Sequence, residues 1–477
     1  MDLLQVLYYV LLAAYWILVI SSVSVVLLEN KNPVRTTAWI LVLTMVPFIG
    51  LLFYIVFGRS YHRQSRLSRK TKAKIQVCMN PAIARTELAT NSKIVKKHAH
   101  LIKLLETSSE AKLFANNTVE IYTNGKKLFA DILNDIENAK NHIHAEYYIV
   151  ETDKTGNKFK DALIKKAREG VEVRLIYDDI GSWRLKYFTI KEMQDAGIKL
   201  QSFFKLRFPY FTNKLNYRNH RKILVIDGKI GYLGGFNIAD RYTDGLDWGI
   251  WKDTHIRFEG DGVAGLQNIY LTDWLYVTQK LHQTPRFFPI SSCESKTAIQ
   301  VVGSGPDTDR QSIMQGFCFA INDAKKYVYI QTPYFLPNES ILTAIESAAM
   351  RGIDVRLMIP FRSDSRISYE ASLSYMREIL SAGVKVLQYK KGFIHAKTIV
   401  IDDEVAIIGS ANMDFRSFEQ NFEVSAFIYD EEKSVELRNI FLVDEKSCRK
   451  LTLWKLSKTP KFRKVIRSIA RLFSPAL

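Results

Sequence analysis

Residues 219–237 read NHRKILVIDGKIGYLGGFN, and residues 394–412 read IHAKTIVIDDEVAIIGSAN. Each copy carries a His, a Lys two residues on and an Asp five further, and closes on small residues and an Asn. The positions are His220, Lys222 and Asp227 in the first copy and His395, Lys397 and Asp402 in the second. Every residue of the second triplet lies 175 positions after its counterpart, and so does Asn412 after Asn237. One offset shared by all these positions, with matched apolar runs between them, marks a duplicated half-domain.

The pattern has a direct physical reading. Residues two apart on an extended strand share a face, so His220 and Lys222 project together. Ile223 to Ile226 is a β-branched, apolar run of the kind buried on both sides. Asp227-Gly228 is a turn signal, and Ile230 to Leu233 returns as the next strand. Gly234 and Gly235 permit close backbone approach, and Asn237 supplies an amide donor; Gly409, Ser410 and Asn412 take those places in the second copy. Each half therefore offers an imidazole, a fixed positive charge and an amide. Two such halves together make a cationic pocket suited to a phosphate, with two imidazoles for attack and proton transfer. A single copy is equally well explained by an ordinary core or surface histidine; two copies in register count against that. A metal site does not fit, because Lys is not a ligand here and the Asp belongs to a separate turn.

The paired H-x-K-x4-D motifs resemble those of the phospholipase D superfamily, and the whole chain, with its apolar N-terminus, is similar to the bacterial cardiolipin synthases within it. The resemblance implies two α/β halves about a pseudo-twofold axis, with the motifs meeting at the seam. It implies phosphatidyl transfer between two phosphatidylglycerols, giving cardiolipin and glycerol through a phosphohistidine, with no metal or other cofactor. In that scheme one histidine attacks and the other works as acid and base, with His220 the nucleophile by analogy only, since the motif is symmetric. Lys222, Lys397, Asn237 and Asn412, with Ser410 beside them, hold or support the phosphoryl group. Two carboxylates, Asp253 in WKDTHIRFEG and Glu423 in QNFEVSAFIY, are expected to accept a hydrogen bond from the far nitrogen of the histidine of their own half. Asp227 and Asp402 then support the turns and add nearby charge. Other readings stay open: a membrane-bound phospholipase D acting with water or a free alcohol, a nuclease, or a non-catalytic membrane scaffold.

Charge distribution separates some of these. The formal charge is +18, and residues 59–74 and 449–477 hold seven and nine Lys/Arg with no acid, which is nearly all of it. A nuclease needs a basic stripe on its body. Here the body is close to neutral and the charge sits at its ends, where an anionic membrane surface meets it. The partner expected is anionic phospholipid rather than nucleic acid; the oligomeric state is left open. Leu3 to Leu28 and Thr36 to Gly58 contain no charged residue, and each exceeds the ~20 residues that cross a bilayer. A short connection with Pro33 predicts a transmembrane hairpin, and the first run lacks the basic start of a cleaved signal peptide. Pro47 and Gly50 mark a kink or a segment that dips rather than spans. The basic cluster after Gly58 predicts a multi-pass protein of the cell membrane with its catalytic domain in the cytoplasm. Cys78, Cys293, Cys318 and Cys448 show no metal or disulfide spacing.

Helical and strand periodicities alternate on both sides of residue 290, and GVEVRLIYDD at 170–179 matches GIDVRLMIPF at 352–361. These predict α/β halves with mixed, largely parallel sheets. The expected organisation is a hairpin at 1–58, a basic linker at 59–112, a first half at 113–290, a second half at 291–448 and a basic amphipathic tail at 449–477. Within the linker, His98 and His100 read as part of a solvated basic face. Aromatic and basic residues interleave at 183–188 and 203–211, which fits either a headgroup-level rim or a core edge. In the tail, Phe462, Val465, Ile466, Ile469 and Phe473 share one helical face, with Lys461, Lys464, Arg467 and Arg471 largely on the other, as in an interfacial helix; packing against the body is the alternative, against which the charge counts.

Overall fold

The computed structural model describes residues 3–29, 33–54, 58, 82, 92–205, 216–280, 285–293, 295–308 and 310–477. The chain divides into two compact units, one of residues 1–66 with 206–217 and one of residues 67–205 with 218–477. The basic cluster 59–74, Cys78 and most of the aromatic stretch 203–211 lie outside the described residues.

The smaller unit is built on helix α1 (Leu3–Glu29), followed by α2 (Pro33–Met45) and α3 (Pro47–Phe53). Among the described residues, α1 is the one helix long and apolar enough to cross a membrane. The expected second span is instead two helices of 13 and 7 residues. The break falls at Val46, whose backbone leaves the helical region (φ −140°, ψ 68°) because the proline that follows disfavours it. The Tyr15 hydroxyl donates to the Thr44 carbonyl at 2.9 Å, tying α1 to α2, and Val26, Leu43 and Tyr54 are buried between the helices.

The larger unit repeats one strand pattern. In the first half the strands are β1 (Leu113–Tyr122), β2 (His142–Tyr147), β3 (Glu172–Asp178), β4 (Lys199–Phe203), β5 (Arg218–Asn219), β6 (Lys222–Ile226), β7 (Ile230–Gly234), β8 (Ile250–Lys252) and β9 (His255–Gly260). The second half contributes β10 (Thr297–Ser304), β11 (Tyr327–Gln331), β12 (Asp354–Pro360), β13 (Lys385–Tyr389), β14 (Gly392–Ile394), β15 (Thr398–Ile401), β16 (Val405–Gly409), β17 (Asn421–Tyr429) and β18 (Cys448–Lys450). One continuous sheet runs β18-β13-β12-β11-β15-β16-β17-β10-β1-β9-β7-β6-β2-β3-β4. Read outward from the antiparallel β1–β10 pair, the two arms have equivalent strands in equivalent order, so the duplication seen in the motifs extends to the whole sheet.

The sheet is mixed, but its parallel share is smaller than the sequence indicates. Parallel pairs in this run are confined to β2-β3-β4 and β11-β12-β13, where helices make the crossovers; the strands between are antiparallel. The motif strands are joined by tight hairpins, and a hairpin can only reverse direction. The helix Ala99–Ser109, assigned to the linker by sequence, buries Leu101, Ile102 and Leu105 in the core of the second half. His98 at its start meets Glu404 at 3.0 Å. Phe203 and Phe204 are likewise buried, against Tyr276 and Phe422, so this end of the aromatic stretch is a core edge. Cys293, Cys318 and Cys448 are free thiols.

The motif aspartates hold the hairpins in place. Asp227 and Asp402 both adopt positive φ at the turn, as a primed hairpin requires. Asp227 accepts backbone N–H groups from Lys140, Asn141 and His142 at 2.7–3.0 Å, and Asp402 accepts them from Lys325, Lys326 and Tyr327 at 2.6–2.9 Å. Each carboxylate thus caps the start of the neighbouring strand and fixes the register of the strand that carries the His and Lys. Asp402→Ala leaves three backbone donors without their charged acceptor, and is expected to cost about 3 kcal/mol of unfolding free energy. Asp402→Asn keeps an acceptor and is expected to cost less; equal stability of both variants and the parent in thermal unfolding would contradict this role.

Candidate active site

The strand just before each motif histidine pairs with the opposite half. β5 runs parallel to the start of β17, with Asn219 opposite Phe422, and the His220 N–H donates to the Phe422 carbonyl at 2.9 Å. β14 runs parallel to β8, with Ile394 opposite Lys252, and the His395 N–H donates to the Lys252 carbonyl at 2.6 Å. Glu423 follows Phe422 and Asp253 follows Lys252, so the strand exchange delivers each carboxylate to the histidine of the other half.

His220 Nδ1 lies 3.0 Å from both Glu423 oxygens, and His395 Nδ1 lies 2.5 Å from Asp253 Oδ2. This corrects the expected pairing within each half. The sequence offset describes one half at a time and carries no information on which half supplies the acid. Both carboxylates are completely buried. With Nδ1–H donated to a carboxylate, Nε2 of each ring keeps its lone pair, and it meets no hydrogen-bond partner among the described residues. Lys397 Nζ also lies 2.9 Å from His395 Nδ1, but it donates to the His395 carbonyl, and the shorter contact to Asp253 sets the tautomer. Lys222 Nζ donates to the His220 carbonyl at 2.6 Å and lies over the Tyr148 ring. The charge of Lys397 bears on His220 and that of Lys222 on His395, so the four side chains lie within electrostatic reach of one another.

The pocket's electrostatics follow from burial. Desolvation, with Lys222 and Lys397 adding to it, holds His220 near pKa 4 despite Glu423. Burial and Lys397 hold His395 near 3 despite Asp253. Burial pushes Lys397 down to about 8 and Lys222 well below its ordinary value. Burial raises the two carboxyls, but their cationic and hydrogen-bonding neighbours outweigh it and both end below the usual range. An anion arriving here meets two neutral imidazoles and two lysines whose cationic forms burial disfavours, so its charge would stabilise their protonated state.

The small residues differ between copies for a reason. A Cβ at Gly235 would sit 2.0 Å from Asp253 Oδ1, so only glycine admits the short carboxylate. At the equivalent position Ser410 donates its hydroxyl to Glu423 Oε2 at 2.5 Å, and Asn421 donates to the other oxygen at 3.2 Å. Ser410 therefore orients the carboxylate. Asn237 Nδ2 donates to the Tyr242 hydroxyl and its Oδ1 accepts from Ile149 N–H, while Asn412 Nδ2 donates to Asp414. Each amide keeps one further N–H beyond these bonds. Asp227 and Asp402 lie at the turns, on backbone donors.

Sequence reasoning missed Arg221. Its guanidinium is buried, donates to the Glu423 carbonyl at 3.1 Å and the Ser304 carbonyl at 3.2 Å, and pairs with Asp273. It clamps the strand bearing Glu423 from the residue next to His220. The signal was an asymmetry of charge inside the motifs: Arg221 stands where the second copy has Ala396. Tyr148 packs edge-on to His220 at 5.0 Å and Trp251 lies 4.9 Å from His395; neither sits in a motif. Trp183, Tyr187 and Phe188, from the first interleaved stretch, are exposed beyond Ser182, whose hydroxyl donates to the Tyr148 carbonyl.

The comparisons agree with this architecture. The family model described as "Cardiolipin synthase, PLD-like domain" matches residues 132–247 and 317–444, and one described as "Phospholipase_D-nuclease N-terminal" matches residues 14–59. A cardiolipin synthase of Geobacillus thermodenitrificans is 41% identical over 98% of this chain and 94% of its own length. One from Listeria monocytogenes is 40% identical over 98% of this chain and 100% of its own. The crystal structure of a phosphatidylserine synthase from Haemophilus influenzae superposes with a TM-score of 0.61 over 79% of this chain and 100% of that one; at 14% identity it speaks to the fold alone.

Both rings are expected to stay neutral, with the proton on Nδ1, down to about pH 4 for His220 and 3 for His395. In the unfolded chain they ionise near 6.5. The sign follows: the unfolded state binds more protons below pH 6.5, so this contribution to stability is whole above 6.5 and is lost as pH falls towards 4. Nitrogen-15 NMR of labelled imidazoles checks it, and a ring that titrates near 6.5 in the folded protein would contradict it.

Proposed function

This chain belongs to the phospholipase D-like cardiolipin synthase family of phosphatidyltransferases, and from that membership we propose that it joins two phosphatidylglycerols into cardiolipin, releasing glycerol. The observation that carries the reading is the pair of crossed histidine–carboxylate contacts, each leaving Nε2 free in a pocket with two lysines.

His220 Nε2 attacks the phosphorus of the first phosphatidylglycerol. A P–N bond forms, the P–O bond to the glycerol headgroup breaks, and His395 hands the leaving oxygen a proton. To give that proton His395 must first hold one on Nε2. The anionic phosphate supplies the charge that makes this favourable, and Asp253 stabilises the imidazolium, as an orienting acid does in a triad. A hydroxyl of the second phosphatidylglycerol then gives its proton back to His395 and attacks phosphorus, breaking the P–N bond. Lys222 and Lys397, with the remaining N–H groups of Asn237 and Asn412, stabilise the phosphoryl oxygens. Glu423 holds His220 in the tautomer that attacks. No step calls on a metal.

The apolar helix α1 supports a membrane protein, and the basic residues after Gly58 support a catalytic domain on the cytoplasmic side, drawing both lipids from that leaflet. Purified protein incubated with phosphatidylglycerol alone is expected to yield cardiolipin and glycerol in equal amounts by mass spectrometry. Phosphatidic acid as the sole product would replace this reading with a hydrolase. For the orientation, a single cysteine at Ser457 is expected to resist an impermeant reagent in intact cells; labelling there would invert the topology.

A further inference from the structure

The acid-free segment 449–477 ends in a helix α4 (Lys461–Leu472) whose two faces are used in an unexpected way. Two of its three arginines turn to the protein. Arg467 Nε pairs with Glu370 at 2.8 Å and Arg471 with Glu378 at 3.0 Å, both on the helix Arg366–Ser381. Arg471 also lies over the Tyr375 ring, and Ala470 is buried beneath. The chain end is fastened as well: the Tyr375 hydroxyl donates to Ser474 Oγ at 3.3 Å, and Gln420 Nε2 donates to the Pro475 carbonyl at 2.9 Å. Meanwhile Phe462 (64% exposed), Val465, Ile466, Ile469, Leu472 (79%) and Phe473 stand in solvent as one stripe. A stripe of this size on a soluble face marks a contact surface.

We propose that this stripe is a docking blade that enters the headgroup region of an anionic bilayer while its arginine face is clasped to the catalytic body. Charge selects the occupant. Helical spacing puts Lys461 and Arg463 on the flanks of the stripe, and Lys458 lies over the exposed Trp454 nearby, 3.6 Å from its ring. Arg467 and Arg471 are neutralised by Glu370 and Glu378, but Lys458, Lys461 and Arg463 beside the stripe have no acid near them in sequence; they repel a second copy of the same face and attract anionic lipid. The clasp has a consequence for the site. Gln420, which holds the chain end, lies three residues before Glu423, and its neighbour Asn421 donates to Glu423. Bilayer contact is therefore transmitted through a fixed structure, not a slack tether. This inference rests on the lipid-transfer reading for its biological sense, but the contact itself can be measured without turnover.

The full-length protein, free of its four native cysteines, carries an environment-sensitive fluorophore at Ile466→Cys or, as reference, at Ser468→Cys. It is reconstituted in vesicles of phosphatidylglycerol and phosphatidylcholine. At 466 the emission shifts to the blue and is quenched by lipids bearing a spin label near the top of the acyl chain; at 468 it is not. No blue shift at 466, or a blue shift without lipid quenching as expected for burial against a second copy or another protein, overturns the proposal. In the second arm, Ile466→Asp with Ile469→Asp lowers cardiolipin formation on vesicles roughly tenfold, yet leaves it unchanged in mixed micelles, where no bilayer must be engaged. Equal vesicle rates for variant and parent overturn it. Lack of cardiolipin formation by the parent protein would sink the functional reading alone, since the quenching arm stands apart.

Discussion

Two carboxylates without solvent exposure govern this protein. Glu423 and Asp253 are wholly buried, and a buried charge survives only with close partners. Each finds its histidine in the opposite half, so neither half holds a complete dyad. Separating the halves would strand two carboxylates in apolar surroundings and leave both rings without the acid that sets their tautomer. The pocket and the fold thus share one requirement. The short parallel pairs β5–β17 and β8–β14 meet it, because each brings a carboxylate one residue past the last paired position.

The remaining polar groups serve that arrangement. Arg221 draws the Glu423 strand towards His220, Ser410 fixes the Glu423 carboxylate, and Gly235 leaves the space that Asp253 needs. The motif aspartates act at a distance, by locking the hairpins that carry the histidines and lysines. Burial then does the chemical tuning: it keeps both imidazoles neutral and lowers both lysines until an anionic group arrives.

Much of this is legible in the sequence. A constant offset between the motifs reveals the duplication, and the β-branched runs and Asp turns locate the motif strands to within a residue, because both are local signals. Relations between the halves are not legible. Nothing near Glu423 states that its partner is His220 rather than His395, since the pairing arises from a strand exchange between residues 203 positions apart in the chain. The parallel share of the sheet was overestimated because the βαβ alternation is conspicuous while the antiparallel centre is made of short hairpins. Pro47 marked the break in the second apolar run, but not the two short helices that result. In the tail, periodicity identified the two faces correctly. It did not reveal that Glu370 and Glu378 take the arginines, as those acids lie on another helix.

The central claim is that the two motifs form one catalytic pocket rather than two. It is tested most directly by the turnover of His220→Ala and His395→Ala, each reconstituted at equal amounts and checked for unaltered folding. A single composite pocket predicts that either change removes about a hundredfold to ten-thousandfold of the rate, the worth of a positioned imidazole, with a phosphatidyl adduct trapped on His220 in the His395 variant. Two independent pockets would leave each variant with about half the parent rate, and that result would contradict the account.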